Sequence, residues 1–135
     1  MDRLLADTGF FVAAGRRADP HYAGARAFSE RFSGQLVTTS AVIVEVCHFV
    51  TSGARISLLN SVGSRLAVIE VPVTSYPDLA ATIAKYPDRE VDFADASLVW
   101  LAERSGLRQI LTVDVPDFST FRLGNGKRFE LIDWN

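Results

Sequence analysis

Two short stretches constrain this chain more than any others. Leu4-Leu5-Ala6 ends in Asp7, and Leu111-Thr112-Val113 ends in Asp114. Each is a brief apolar run that hands one carboxylate to its end. After Asp7 come Thr8 and Gly9, then a new apolar segment from Phe10, so the first run behaves as a buried strand turning into a helix. In open α/β sheets, ligands bind outside the carboxyl ends of the strands. An aspartate at that place is either a helix cap or the first piece of a site.

The remaining segments alternate in the same way. Strands are predicted over 4–6, 35–38, 66–71, 109–113 and 129–132. Helical stretches are predicted over 8–14, from Asp19-Pro20 to Phe32, from a Thr39 or Ser40 cap to about Thr51, over 54–62, over 75–85 and over 92–105, with one turn over 117–121. Asp suits a cap and Pro a first turn. Val42, Ile43, Val46, Phe49 and Val50 form the apolar stripe of the third helix. Gly106 supplies the stop of the helix that starts near Asp92, as glycine commonly does. Strands alternating with helices predict an α/β domain with a mainly parallel central sheet. No repeat, low-complexity tract or linker interrupts it, so residues 1–135 are expected to form a single domain.

Bulk properties narrow the function classes. The net charge is −2, which excludes a general electrostatic pull on nucleic acid. Of the fourteen basic residues only Lys85 and Lys127 are lysines; the arginines suit bidentate phosphate contacts, although Arg3, Arg16, Arg17, Arg55, Arg104, Arg108 and Arg122 are individually accounted for as solvated surface. Cys47 is the single cysteine, compatible with a reducing cytoplasm. The start of the chain lacks a basic segment followed by a long apolar one, and no apolar run approaches the ~20 residues of a membrane span. A cytoplasmic location and no membrane association are therefore expected.

Four carboxylates carry the chemical expectation. Asp7 and Asp114 follow strands. Glu45 lies inside the third helix, ~100° from the centre of its apolar stripe; it is either a solvated flank residue or the rim of a buried face. Asp95 falls within the apolar stripe of Ala94, Leu98, Leu101 and Ala102, where a carboxylate is costly unless something satisfies it. A local explanation is a capping box with Asp92. Asp117, just before Phe118, can cap the short turn there. Carboxylates crowded together repel unless cations neutralise them. An all-oxygen donor set favours Mg²⁺ or Mn²⁺ over Zn²⁺. No His/Cys cluster competes, with Cys47 expected in packing and His48 on the surface, turned away from Glu45. A carboxylate metal site suits phosphoryl transfer, where the ion activates a water and stabilises the leaving oxygen.

These residues, in this order, resemble the PIN-domain ribonucleases, most closely the VapC-like toxins of toxin–antitoxin pairs. The matching segments are Leu5-Ala6-Asp7-Thr8, Glu45-Val46, Asp92-Phe93-Ala94-Asp95-Ala96-Ser97-Leu98-Val99 with Leu101-Ala102-Glu103-Arg104, and Leu111-Thr112-Val113-Asp114 with Asp117-Phe118. The resemblance implies a three-layer α/β/α fold and a metal-dependent endoribonuclease. Asp7 and Asp95 would be the main metal ligands, Glu45 would orient or deprotonate the attacking water, and Asp114 would complete the pocket, with Asp117 as an extra ligand. Thr8 and Thr112 would hold the carboxylates from behind. It also implies an RNA substrate, a homodimer and a cognate antitoxin. Val115-Pro116 stand where such relatives often carry a basic residue, and His48-Phe49 continue the third helix unusually. The alternative is a catalytically inactive PIN-like module that binds RNA or protein; retention of all four acids argues against it. A haloacid dehalogenase-type phosphotransferase is rejected because Gly9 occupies the place of its second aspartate. A response-regulator receiver is rejected because Val71-Pro72 end the third strand.

Overall fold

A computed structural model describes residues 2–135. Five strands, β1 (Arg3–Ala6), β2 (Gln35–Thr39), β3 (Leu66–Ile69), β4 (Gln109–Leu111) and β5 (Glu130–Leu131), form one sheet in the order β3-β2-β1-β4-β5. Every pairing is parallel, so the sheet is wholly rather than mainly parallel. The helices are α1 (Thr8–Gly15), α2 (Tyr22–Arg31), α3 (Ser40–Cys47), α4 (Ser52–Asn60), α5 (Tyr76–Lys85), α6 (Phe93–Ser105) and α7 (Val115–Thr120). Right-handed crossovers put α1 to α4, which step outward from β1 to β3, on one face. They put α5 and α6, which return from β3 to β4, on the other.

The central strands explain this arrangement. Leu5, Ala6, Val37, Ile110 and Leu111 are almost wholly buried, the continuous apolar pattern of strands covered on both faces. Phe10, Phe118 and Phe121 fill the space between sheet and helices, each side chain contributing about 1.5–3 kcal/mol of burial. Trp134 closes the core against Phe10, ring centroids 5.0 Å apart, and its Nε1–H donates to the Thr112 carbonyl at 3.3 Å.

Several predicted boundaries move, each for a local reason. The second helix starts at Tyr22 rather than Asp19, because the Asp19 carboxylate accepts from the His21 N–H in a tight turn. The third helix stops at Cys47, and Phe49, expected in its apolar stripe, is 53% exposed. Ser52 and Gly53, expected to break a helix, instead open α4, whose cap is the Thr51 hydroxyl. The turn expected from Asp117 begins at Val115, with Asp114 as its cap. The fourth strand ends at Leu111, two residues early, because Thr112 turns its hydroxyl to the Asp114 N–H.

The strand order creates the feature that matters for function. From β1 the chain moves to β2 and β3 on one side, then jumps back across β1 to β4 on the other. The crevice between the carboxyl ends of β1 and β4 is thus the topological switch point of the sheet, the usual ligand position in such folds. Asp7 and Asp114 stand on its two sides.

Candidate active site

Asp7 is the hub of this crevice. Its N–H donates to the Leu111 carbonyl at 3.0 Å, extending the β1–β4 pairing by one residue. Its carboxylate is 6% exposed and accepts from the Thr8 N–H at 2.7 Å and from the Thr112 hydroxyl at 3.0 Å. Asp7 therefore caps α1 and also presents a carboxylate to the crevice. Thr112 is a bridge: while donating to Asp7 it accepts from the Asp114 N–H at 2.9 Å. Asp114 in turn caps α7 by accepting from the Asp117 N–H.

Strand order alone does not place Asp95, because α6 follows another helix. Two hydroxyls settle it. Thr39, at the end of β2, caps α3 by accepting from the Val42 N–H, and its hydroxyl meets that of Ser97 at 2.7 Å. Ser97 donates to the Ala94 carbonyl within α6, so Thr39 is the donor of the pair. Both side chains are fully buried. This short relay clamps the first turns of α6, which carry Asp95, to the start of α3; Glu45 lies further along, in the last turn of α3. Sequence reasoning used Thr39 only as a cap and named Ser97 only within the matching segment, with no role of its own; a small hydroxyl on the buried face of an otherwise apolar helix was the available signal.

Asp92 and Asp95 do form the capping box, the Asp95 N–H donating to Asp92 at 2.8 Å and the Asp92 N–H to Asp95 at 3.4 Å. The second bond is long, which leaves the Asp95 carboxylate weakly engaged. Thr8 supports Asp7 through its backbone rather than its hydroxyl. That buried hydroxyl completes no hydrogen bond of ordinary geometry, although it lies near enough to Glu45 to favour the ionised carboxylate.

The acids sense one another. Burial, reinforced by Glu45 and Asp114 and opposed by the Thr8 and Thr112 hydrogen bonds, pushes the Asp7 carboxyl up to about 6. Burial, then the charges of Asp92 and Asp7, push Asp95 up to about 8. Burial and Asp92 raise Glu45, which the neighbouring His48 partly offsets. His48 is thus not turned away from Glu45 as expected; three residues apart on a helix, the two are neighbours. Burial and then the Asp117 carboxylate raise Asp114 also, opposed by the Asp117 N–H and by Arg89. All four predicted acids therefore share one field with a deficit of positive charge. Asp117 touches this field through Asp114 alone and is tied to Arg89 at 2.6 Å in the one ion pair among the described residues. Arg89 lies on the loop between α5 and α6 and was absent from the arginines singled out by sequence.

The donor set is all oxygen, several of the groups are held in fixed orientations, and the unpartnered Thr8 hydroxyl lies among them. This chemistry fits a hard divalent cation. As the side chains stand, no three His, Cys, Asp or Glu residues among those described form a ready cage for an ion.

The model of the PIN domain matches residues 4–119. Ribonuclease VapC26 of Mycobacterium tuberculosis is 28% identical over 134 residues, covering 96% of this chain and 99% of the relative. Among solved structures, M. tuberculosis VapC20, described as a sarcin-ricin loop cleaving toxin, superposes with a TM-score of 0.72 at 16% identity, covering 84% of this chain and 93% of that one. A toxin–antitoxin complex from Klebsiella pneumoniae contains a chain with a TM-score of 0.58 at 19% identity, covering 87% and 92%. At these identities the two structures speak for the fold.

Proposed function

The chain belongs to the PIN-domain family, and from that premise we propose that it is a metal-dependent endoribonuclease, the toxin of a VapBC-type toxin–antitoxin pair, with residues 1–135 acting as one PIN domain. One observation carries the proposal: Asp7 and Asp114 flank the switch point of the sheet and are tied to each other through Thr112. The full-length likeness to a VapC ribonuclease supports the choice of substrate.

In this reading Asp7, Glu45, Asp95 and Asp114 hold Mg²⁺ or Mn²⁺, with Asp117 available once Arg89 releases it. Mg²⁺ is commonly bound through one or two carboxylates with water completing its shell. When bound, the ion lowers the pKa of a water and offsets charge on the leaving oxygen. Glu45, whose affinity for a proton is raised by its surroundings, accepts the proton of the attacking water. Thr112 keeps Asp7 oriented, and the Thr39–Ser97 relay holds the first turns of α6, with Asp95, against the end of β2. The protein works in the cytoplasm as a homodimer and is silenced by a cognate antitoxin; no described helix is long and apolar enough to cross a membrane.

Purified protein is expected to cut total RNA with Mg²⁺ or Mn²⁺, to stop in EDTA, and to lose the activity in Asp7→Asn. Expression alone should arrest bacterial growth, and Asp95→Asn should relieve the arrest. Equal cleavage by wild type and Asp7→Asn would overturn the assignment. Metal-independent RNA binding without cleavage would support a binding module instead.

A further inference from the structure

The lip of the acid pocket is apolar. Phe93, the first residue of α6, stands between Asp92 and Asp95 in the chain and is 42% exposed. Tyr76, the first residue of α5, is 45% exposed and packs edge-to-face on it, ring centroids 5.3 Å apart and planes at 82°. The other edge-to-face pairs among the described residues have at least one ring buried in the core, such as Phe118 with Phe121. Only this pair leaves both rings exposed. Val113 and Val115, on either side of Asp114 in the chain, are also exposed.

Exposed aromatics at this place need an account. The chain carries a net charge of −2, so attraction for a phosphate backbone at this place falls to the cation that the acids hold rather than to the surface around them. Arg89, the cation that acts on Asp114, is engaged by Asp117. Beside the acids, the exposed apolar surface offers the substrate a contact that does not depend on charge. Base faces make that contact. Unpaired bases stack on aromatic side chains regardless of sequence, and paired bases inside a duplex cannot. Tyr76 holds the Phe93 ring in place before anything binds, which lowers the ordering cost of such a contact.

Resting on the ribonuclease reading, we propose that the Tyr76–Phe93 pair is a stacking seat for one unpaired base next to the scissile phosphate. The pair is then a positioning contact that an unpaired strand can use and a duplex cannot.

The test uses a mixed-sequence single-stranded RNA oligonucleotide and its perfect duplex, with Phe93→Leu, Phe93→Trp and Tyr76→Leu. Leucine keeps the apolar bulk and removes the π face. Cleavage is followed as kcat and KM, and binding by fluorescence anisotropy in an Asp7→Asn background that cannot cut. Phe93→Leu should weaken single-strand binding and raise KM by about 5- to 150-fold, the worth of one stacked base. Phe93→Trp should stay near wild type, and Tyr76→Leu should lie between. Duplex binding should not change, and melting temperatures should show all variants folded. Phe93→Leu binding and cutting like wild type would overturn the proposal, as would equal losses in the leucine and tryptophan variants. So would unchanged RNA binding with loss of self-association by light scattering, which would make the pair a contact with a second copy. A wild type that neither binds nor cuts RNA would instead sink the ribonuclease reading beneath it.

Discussion

Replacing Asp7 by asparagine should make the metal-free protein more stable while abolishing its activity. The carboxyl ionises at about 6 in the folded protein against a reference of 3.8. Below about pH 4 it is protonated in both folded and unfolded chains and carries no penalty. As pH rises, the unfolded chain releases its proton first, so stability falls through this window and the loss is complete above the folded value. The gap corresponds to about 3 kcal/mol at neutral pH. The substituted asparagine would keep the Thr8 N–H on its oxygen and turn its amide toward the Thr112 oxygen. The lost hydroxyl donation costs about 1 kcal/mol. The net gain of about 2 kcal/mol corresponds to roughly 5–10 °C in melting temperature for a domain of this size. Thermal melts of both proteins in EDTA from pH 4 to 8 test this. The difference should be largest above pH 7 and close toward pH 4. Adding Mg²⁺ should raise the wild type toward the variant and move the variant little, since a bound ion stabilises only the form that binds it. A variant that melts at or below the wild type in EDTA at pH 7.5 would refute the view that the pocket is electrostatically overloaded.

Two further substitutions probe how the pocket is held. Ser97→Ala removes the buried partner of the Thr39 hydroxyl and should cost about 1–3 kcal/mol in urea denaturation, with a fall in cleavage rate larger than that of a surface Ser→Ala control; an unchanged midpoint and rate would dismiss the relay. Gly9→Ala places a Cβ 2.2 Å from Val113 Cγ2, which should push the segment carrying Thr112 and Asp114 away from Asp7 and cost about 1–3 kcal/mol. The double variant Gly9→Ala/Val113→Ala should recover most of that stability, and failure to recover would show that the strain lies elsewhere.

Strand-terminal acids were legible in the sequence because two independent patterns coincide there, a short buried run and a carboxylate at its end. The α/β class followed from the same alternation. The ends of helices were less legible wherever two capping residues compete: Asp19 turns the chain instead of opening α2, and Thr51 restarts a helix where Ser52-Gly53 look like a stop. Asp95 was legible as an anomaly on an apolar face but not as a place, because its position depends on a hydrogen bond between residues 58 apart. Arg89 was invisible for a similar reason. Nothing local distinguishes it from other arginines, and its link to the pocket runs through Asp117, 28 residues away.

The central position of β1 has a consequence in time. The carboxylate of Asp7 is made at once, yet the hydroxyl that orients it belongs to Thr112, 105 residues later. At synthesis rates of about 5–20 residues per second, that is a delay of roughly 5–20 s. Until then β1 has β2 on one side and nothing on the other, and the crevice does not exist. A growing chain therefore carries the Asp7 carboxylate without its partner, and the site is assembled only after β4 and Thr112 have been made.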